Sequence, residues 1–148
     1  MPDGSATTMP RPPGFPWILV LVLNLVTLGL FGCAWAIVQA VWARELDRSS
    51  KALGLYIVAM AMEVAGALLE VMHASVPIQA LVQLAAVLVA TFAAFSVKDT
   101  LAKYITNVEG TPTWLSGLMT IIFGEVYLQY HMNRVRSFDR HAALATAP

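Results

Sequence analysis

Charge is scarce in this chain. Asp, Glu, Lys and Arg make up only 12% of its 148 residues, against roughly a quarter in soluble domains, while 58% are hydrophobic and mean hydropathy is +0.68. Nine basic residues balance nine acidic ones, so no net field favours a nucleic-acid partner or an acidic substrate. The single cysteine, Cys33, excludes an intramolecular disulfide and a cysteine metal cluster. No nucleophile–base pair, phosphate-binding glycine loop or metal-spaced His/Cys group is present, so no metal and no cofactor are expected. An enzyme ranks third among the functional readings.

What is there is apolar sequence in long runs, and the expected fold is all-α, a polytopic membrane protein. Residues 1–16 hold five prolines (Pro2, Pro10, Pro12, Pro13, Pro16) and read as a flexible tail. The membrane region is expected over 17–136, with spans at about 17–42, 52–73 and 76–97, and a C-terminal tail at 137–148. No charge interrupts Trp17 to Trp42. As one helix this run would reach about 39 Å, beyond the roughly 30 Å hydrocarbon core, so it must tilt, kink or protrude. Gly29 and Gly32 are the expected bends, and Trp17, Trp35 and Trp42 suit the membrane interface. Ser75 and Pro77 mark a tight turn before the third run, as N-cap and first-turn residue. That helix continues as an amphipathic extension, 98–108, with Leu101, Tyr104, Ile105 and Val108 on one face, and Gly110 and Pro112 end it.

Segment 114–133 carries Glu125, Gln129 and His131 in its second half, which leaves too short an apolar stretch to span comfortably. Basic residues weigh on the choice. If the segment crosses, giving a four-span bundle, the two sides hold five and four Lys/Arg. If it is interfacial or re-entrant, they hold eight and one, which the positive-inside rule prefers. The expectation is therefore three transmembrane helices and a fourth interfacial or re-entrant helix, N-terminus outside and C-terminus cytoplasmic. A signal peptide is imitated by Ala34-Trp35-Ala36, and a lipoprotein site by Leu30 to Cys33. The single Arg in the tail and the apolar residues past Ala36 argue against cleavage.

Two stretches carry a resemblance. Thr27 through Trp35, TLGLFGCAW, resembles the Thr-x-Gly-x-aromatic…Trp signature of the uncharacterised DUF4234 family of small bacterial membrane proteins, with Phe31 where a Tyr is common. Phe123 to Val135, FGEVYLQYHMNRV, is similar to a C-terminal signature of the same proteins. The resemblance covers both ends and little of the middle. It implies the cytoplasmic (inner) membrane of a bacterium and brings no activity.

Tyr56, Ala59, Glu63, Gly66, Glu70 and His73 fall at steps of three and four, on one helix face. Carboxylates and small residues thus share a stripe that should face protein or water and never lipid. Counted from Lys51, Glu63 lies about 18 Å in, near the midplane, where an acid costs roughly 2.5–3.5 kcal/mol. Asn24 and Thr27 in the first span lie at its depth, and an Asn24–Glu63 bond would satisfy both. Gln79 and Gln83 are expected level with Glu70. Two functions compete: a structural or interaction role with the stripe holding helices together, or a proton or cation pathway through Tyr56, Glu63, Glu70 and His73. Three spans cannot enclose a pore alone, so the pathway requires a homo-oligomer or a partner membrane subunit. Lipid is the other expected partner.

Lesser features read plainly. Met60, Met62, Met72 and His73 are packing residues before they are a soft-metal site. Glu125, Gln129 and Asn133 form the polar face of an amphipathic helix whose Arg134 and Arg136 meet anionic headgroups; the sharper alternative brings Glu125 beside the stripe as part of a re-entrant element. His131 and His141 read as solvated or interfacial, Cys33 as a packing residue and Arg44 to Arg48 as a solvated loop.

Overall fold

The structure, a computed structural model, describes residues 10–110 and 112–145, with side chains omitted at 109 and 137–145. Five α-helices and no strand occur among the described residues: α1 (Trp17–Val26), α2 (Leu30–Leu46), α3 (Ala52–Val71), α4 (Val76–Glu109) and α5 (Gly117–Ala145).

The centre is the antiparallel pair α3–α4. Both helices are long and apolar enough to cross a membrane. Only 17% and 22% of their apolar windows are buried within the chain, unlike the core helices of a soluble domain. Val64, Leu81 and Phe92 are among the large side chains left exposed. The turn between them is built as the sequence suggests. Ser75 takes the extended N-cap conformation, and Pro77 sits in the first turn, where its missing N–H costs nothing. The Ser75 side chain makes no capping bond; Gln79 donates to Ala74 O at 2.9 Å instead. At the other end Ser50 and Ser96 hydroxyls meet at 3.3 Å, fixing the register. α4 runs on unbroken to Gly110, whose φ of 67° closes it. Along its extension Leu101, Tyr104 and Ile105 are buried, and Val108 is 37% exposed.

The run 17–42 departs from the expected single span. The helix stops at Val26, and Leu28 (φ 52°) and Gly29 (φ 92°) turn the chain. Phe15 then lies 5.0 Å from Trp35 between ring centroids, and Trp42 Nε1 donates to Pro10 O at 3.1 Å. A straight helix would hold residues 20 apart at about 30 Å, so α1 folds back on α2 as a hairpin. Gly29 is the pivot; Gly32 stays helical and buried inside α2. Leu28, at the tip, is 94% exposed. Thr27 stitches the turn, donating to Leu23 O at 2.7 Å and accepting the Phe31 N–H at 2.9 Å. The part of the expected flexible tail that is described, residues 10–16, is a strap laid against Trp42 and α5; residues 1–9 lie outside the described residues.

α5 is broken too. Gly124 adopts φ 44° and ψ −121°, which only glycine tolerates. Ser116 N–H donates to the Tyr127 hydroxyl at 3.0 Å. In a straight helix these residues would stand about 16 Å apart along the axis, too far for a tyrosine to reach, so arm 117–123 doubles back on arm 125–145. The helix extends through residues expected to form a C-terminal tail, to Ala145; residues 146–148 lie outside the described residues.

The core joins these pieces. Ala36, Ala40 and Ala43 on α2 are small enough to bring it close to α3 and α4, against Ala52, Tyr56, Ala93 and Val97. Below them Trp42 meets Tyr104 edge to face at 5.5 Å, and Leu128, Met132 and Val135 pack from α5.

The loop joining α2 and α3 is held by Asp47. Its Oδ1 accepts the Ser49 N–H at 2.9 Å and the Ser49 hydroxyl at 2.5 Å, while Lys103 Nζ stands 3.6 Å from Oδ2. The Ser49 hydroxyl foremost, then its N–H and Lys103, hold the Asp47 carboxyl below its ordinary value of 3.8. A depressed folded value stabilises above the unfolded one, and the contribution vanishes as pH falls through the folded value. Asp47→Asn should therefore melt below the unmodified protein near neutral pH, and the gap should close as pH drops below 3.8. Melting curves of both proteins across that range check this.

Candidate functional site

The expected stripe divides into a buried half and an exposed half. Tyr56 and Ala59 sit in the core, 8% and 4% exposed. Beyond them the face of α3 opens into a groove against α4, about 390 Å³, lined by Glu63, Gly66, Ala67, Glu70, Gln79 and Gln83 among others. Glu63 and Glu70 are exposed there. Within this single chain the upper stripe thus lines an open groove against α4.

Glu63 has a partner, though not the expected one. Gln83 Nε2 donates to both carboxylate oxygens, at 3.0 and 2.9 Å. Register explains the match: with Ser50 beside Ser96, Glu63 and Gln83 each stand 13 residues up their helices, whereas Gln83 was expected level with Glu70. Gln79 is spent on the turn. His73 lies exposed in that turn with φ 54°, its N–H bonded to Glu70 O at 3.0 Å.

Asn24 bonds elsewhere. Its Nδ2 donates to Glu125 Oε1 at 2.6 Å, tying the tip of the first hairpin to the tip of the second. Gly32 makes room for this joint, since a Cβ there would collide with Asn24 Oδ1 and Glu125 Oε1. Cys33 is exposed, not packed as expected.

Gln129, expected on the polar face of an amphipathic helix, is instead a buried hub. Fully buried, it accepts from Trp35 Nε1 at 3.0 Å and from Gln39 Nε2 at 3.3 Å. Its own Nε2 lies within donor distance of Pro13 O (2.9 Å), Phe15 O (2.7 Å) and Asn133 Oδ1 (2.9 Å). Gln39, also fully buried, donates as well to Glu125 O at 2.9 Å. Asn24 Oδ1 and Gln39 Oε1 are buried with no hydrogen-bond partner among the described residues. Trp35 and Trp42, expected at the membrane interface, spend their N–H groups inside the molecule. His131 is half-buried, stacked edge-on between Tyr127 (4.7 Å) and Tyr130 (5.2 Å). The one sequence signal for this hub was amides where hydrocarbon was expected: Asn24 and Gln39 within a charge-free run, and Gln129 on the polar face of segment 114–133.

Among the described residues no group of three or more His, Cys, Asp or Glu is arranged to hold a metal ion. No family model, curated protein or solved structure matches the chain. The stretches 27–35 and 123–135 meet through the Trp35–Gln129 bond.

Proposed function

We propose that this chain is a small integral membrane protein with a structural or interaction role, docking through the α3–α4 groove onto a second copy of itself. In this reading α3 and α4 are the two full spans, and the hairpins α1–α2 and α5 are re-entrant. The third span expected over 17–42 falls away, because α1 reaches only about 15 Å, half the hydrocarbon thickness. Both hairpins then enter from the side of the Ser50–Ser96 contact. The eight Lys and Arg whose side chains are described fall on that side, and among the described residues the turn at His73 is the only connection on the other. The positive-inside rule makes the charged side cytoplasmic, with residues 10–16 and the end of α5 there, in place of the external start expected from sequence. The resemblance to DUF4234 proteins supports a bacterial inner membrane.

One observation carries the docking: Glu63, bonded to Gln83, is exposed on an apolar helix pair at mid-depth. Lipid offers no hydrogen bonds, and a carboxylate there costs roughly 2.5–3.5 kcal/mol. A second copy presents the same Glu63–Gln83 pair beside the small residues Gly66, Ala67 and Ala80, so a two-fold interface is self-complementary. Light scattering in mild detergent should return a dimer or larger oligomer. Glu63→Leu/Gln83→Leu, which removes both partners at once, should return a monomer that still melts cooperatively. A monomeric unmodified protein would end this reading.

A second reading draws on the continuity of the groove from Glu63 past Gly66 to Glu70 and Gln79, which suits proton or cation movement at the interface between copies. Proteoliposomes reporting proton or cation flux that is lost in Glu63→Gln would favour it, and silent vesicles would remove it.

A further inference from the structure

At the opposite end of α3 a different cleft lies between the last turn of α2 and the first of α3, about 540 Å³. Its polar end is framed by Arg44, Arg48, Ser50 and Lys51, and its other wall by Leu55 and Val58. An adjoining recess shares Arg44, Arg48 and Leu53 and adds Val41 and Glu45. Glu45 is the only acid lining either space. The loop's other acid, Asp47, is engaged by Ser49 and Lys103. Arg44, Arg48 and Lys51 make no ion pair among the described residues. Three cations thus share this face with a single acid, Glu45, and none of the three is ion-paired among the described residues.

The backbone adds to the attraction. The first amides of a helix have no acceptor within it, and the Lys51 N-cap supplies no side-chain bond. Gly54, exposed in that first turn, has no side chain to cover them, and a Cβ there would meet nothing within 4 Å. Three cations beside a helix start suit a phosphate. The other wall decides which phosphate. From the cations the cleft runs straight onto Leu55 and Val58, and Ile57 and Val58 are 55% and 50% exposed on a helix face the chain leaves uncovered. A free anion would leave that wall bare, whereas a lipid would cover it with an acyl chain.

We propose that this cleft is a binding site for the phosphate headgroup of an anionic phospholipid, with one acyl chain lying along Leu55 and Val58. It rests on the reading of α3 as a membrane span. It is independent of self-association, which uses the other end of the helix.

The test uses the full chain in mild detergent, titrated with phosphatidylglycerol, phosphatidylcholine or inorganic phosphate and read by melting temperature and native mass spectrometry. Phosphatidylglycerol should raise the melting temperature and be retained, and the other two should do neither. Arg44→Gln/Arg48→Gln should weaken phosphatidylglycerol binding by about tenfold, the loss expected when charge-assisted bonds are removed. Arg11→Gln, a cation lost elsewhere on the same side, should leave binding within about twofold. Gly54→Leu keeps every charge and adds an apolar side chain at the cleft's lining, where its Cβ meets nothing within 4 Å, so it should lose binding while melting at or above the unmodified protein. Equal effects of phosphatidylcholine, of phosphate alone, or of Arg11→Gln would overturn the proposal, as would unaltered binding in Gly54→Leu. A chain that stays soluble without detergent would instead defeat the membrane reading beneath it.

Discussion

Gln129→Leu is expected to be the most damaging single substitution in the chain, lowering stability by about 3 kcal/mol or more. The leucine fits the volume but leaves Trp35 Nε1 and the carbonyls of Pro13 and Phe15 without their bonds. An unpaired buried polar group costs roughly 1–3 kcal/mol, and several are orphaned together. The loss also has a location. With both carbonyl anchors gone, the strap at 10–16 should come away from α5, so amide exchange and protease cutting should rise there before the α3–α4 pair is disturbed. Gln79→Leu is the contrast, because Gln79 holds only the Ala74 carbonyl at a half-exposed turn. If Gln129→Leu melts with the unmodified protein and its strap stays protected, the hub contributes no stability.

Gly124→Ala is expected to cost about 2–3 kcal/mol through the backbone alone. Nothing lies within 4 Å of a Cβ at this position, so no clash is involved. The penalty comes from φ 44° with ψ −121°, a combination closed to residues with a side chain. A chain relaxing from it swings arm 117–123 outward, parting Ser116 from Tyr127 and disturbing Glu125 against Asn24. Gly54→Ala is the matched control: also open space, but ordinary helix, where alanine should stabilise by about 0.5–1 kcal/mol. Melting temperatures should rank Gly54→Ala first, then the unmodified chain, then Gly124→Ala. Equal melting of Gly124→Ala and the unmodified chain would mean that α5 does not fold back.

Local signals read well from the sequence. Ser75, Pro77 and Gly110 mark helix ends because each acts through its own backbone, and the break falls at Gly29 for the same reason. Apolar length and sparse charge found α3 and α4. The steps of three and four located the buried Tyr56 and Ala59 and set Glu63 beyond them, since helical spacing needs no knowledge of the neighbour. That the run 17–42 doubles fully back was not legible. A charge-free run reads alike whether it crosses or doubles back, and Pro10 beside Trp42 is a fact about space that composition does not contain. Partner choice failed for the same reason. Asn24 and Glu63 match in chemistry, but Glu125, 101 residues away, occupies the place beside Asn24, and register hands Glu63 to Gln83.

The bond between the two hairpin tips has a consequence for how the molecule is made. Asn24 waits for Glu125 and Trp35 for Gln129, partners that leave the ribosome 101 and 94 residues later. Until then the first hairpin has α3 and α4 to lean on but no lock at its tip. The clasp is thus closed only when α5 arrives, and a chain released before Glu125 would carry a first hairpin that translation never secured.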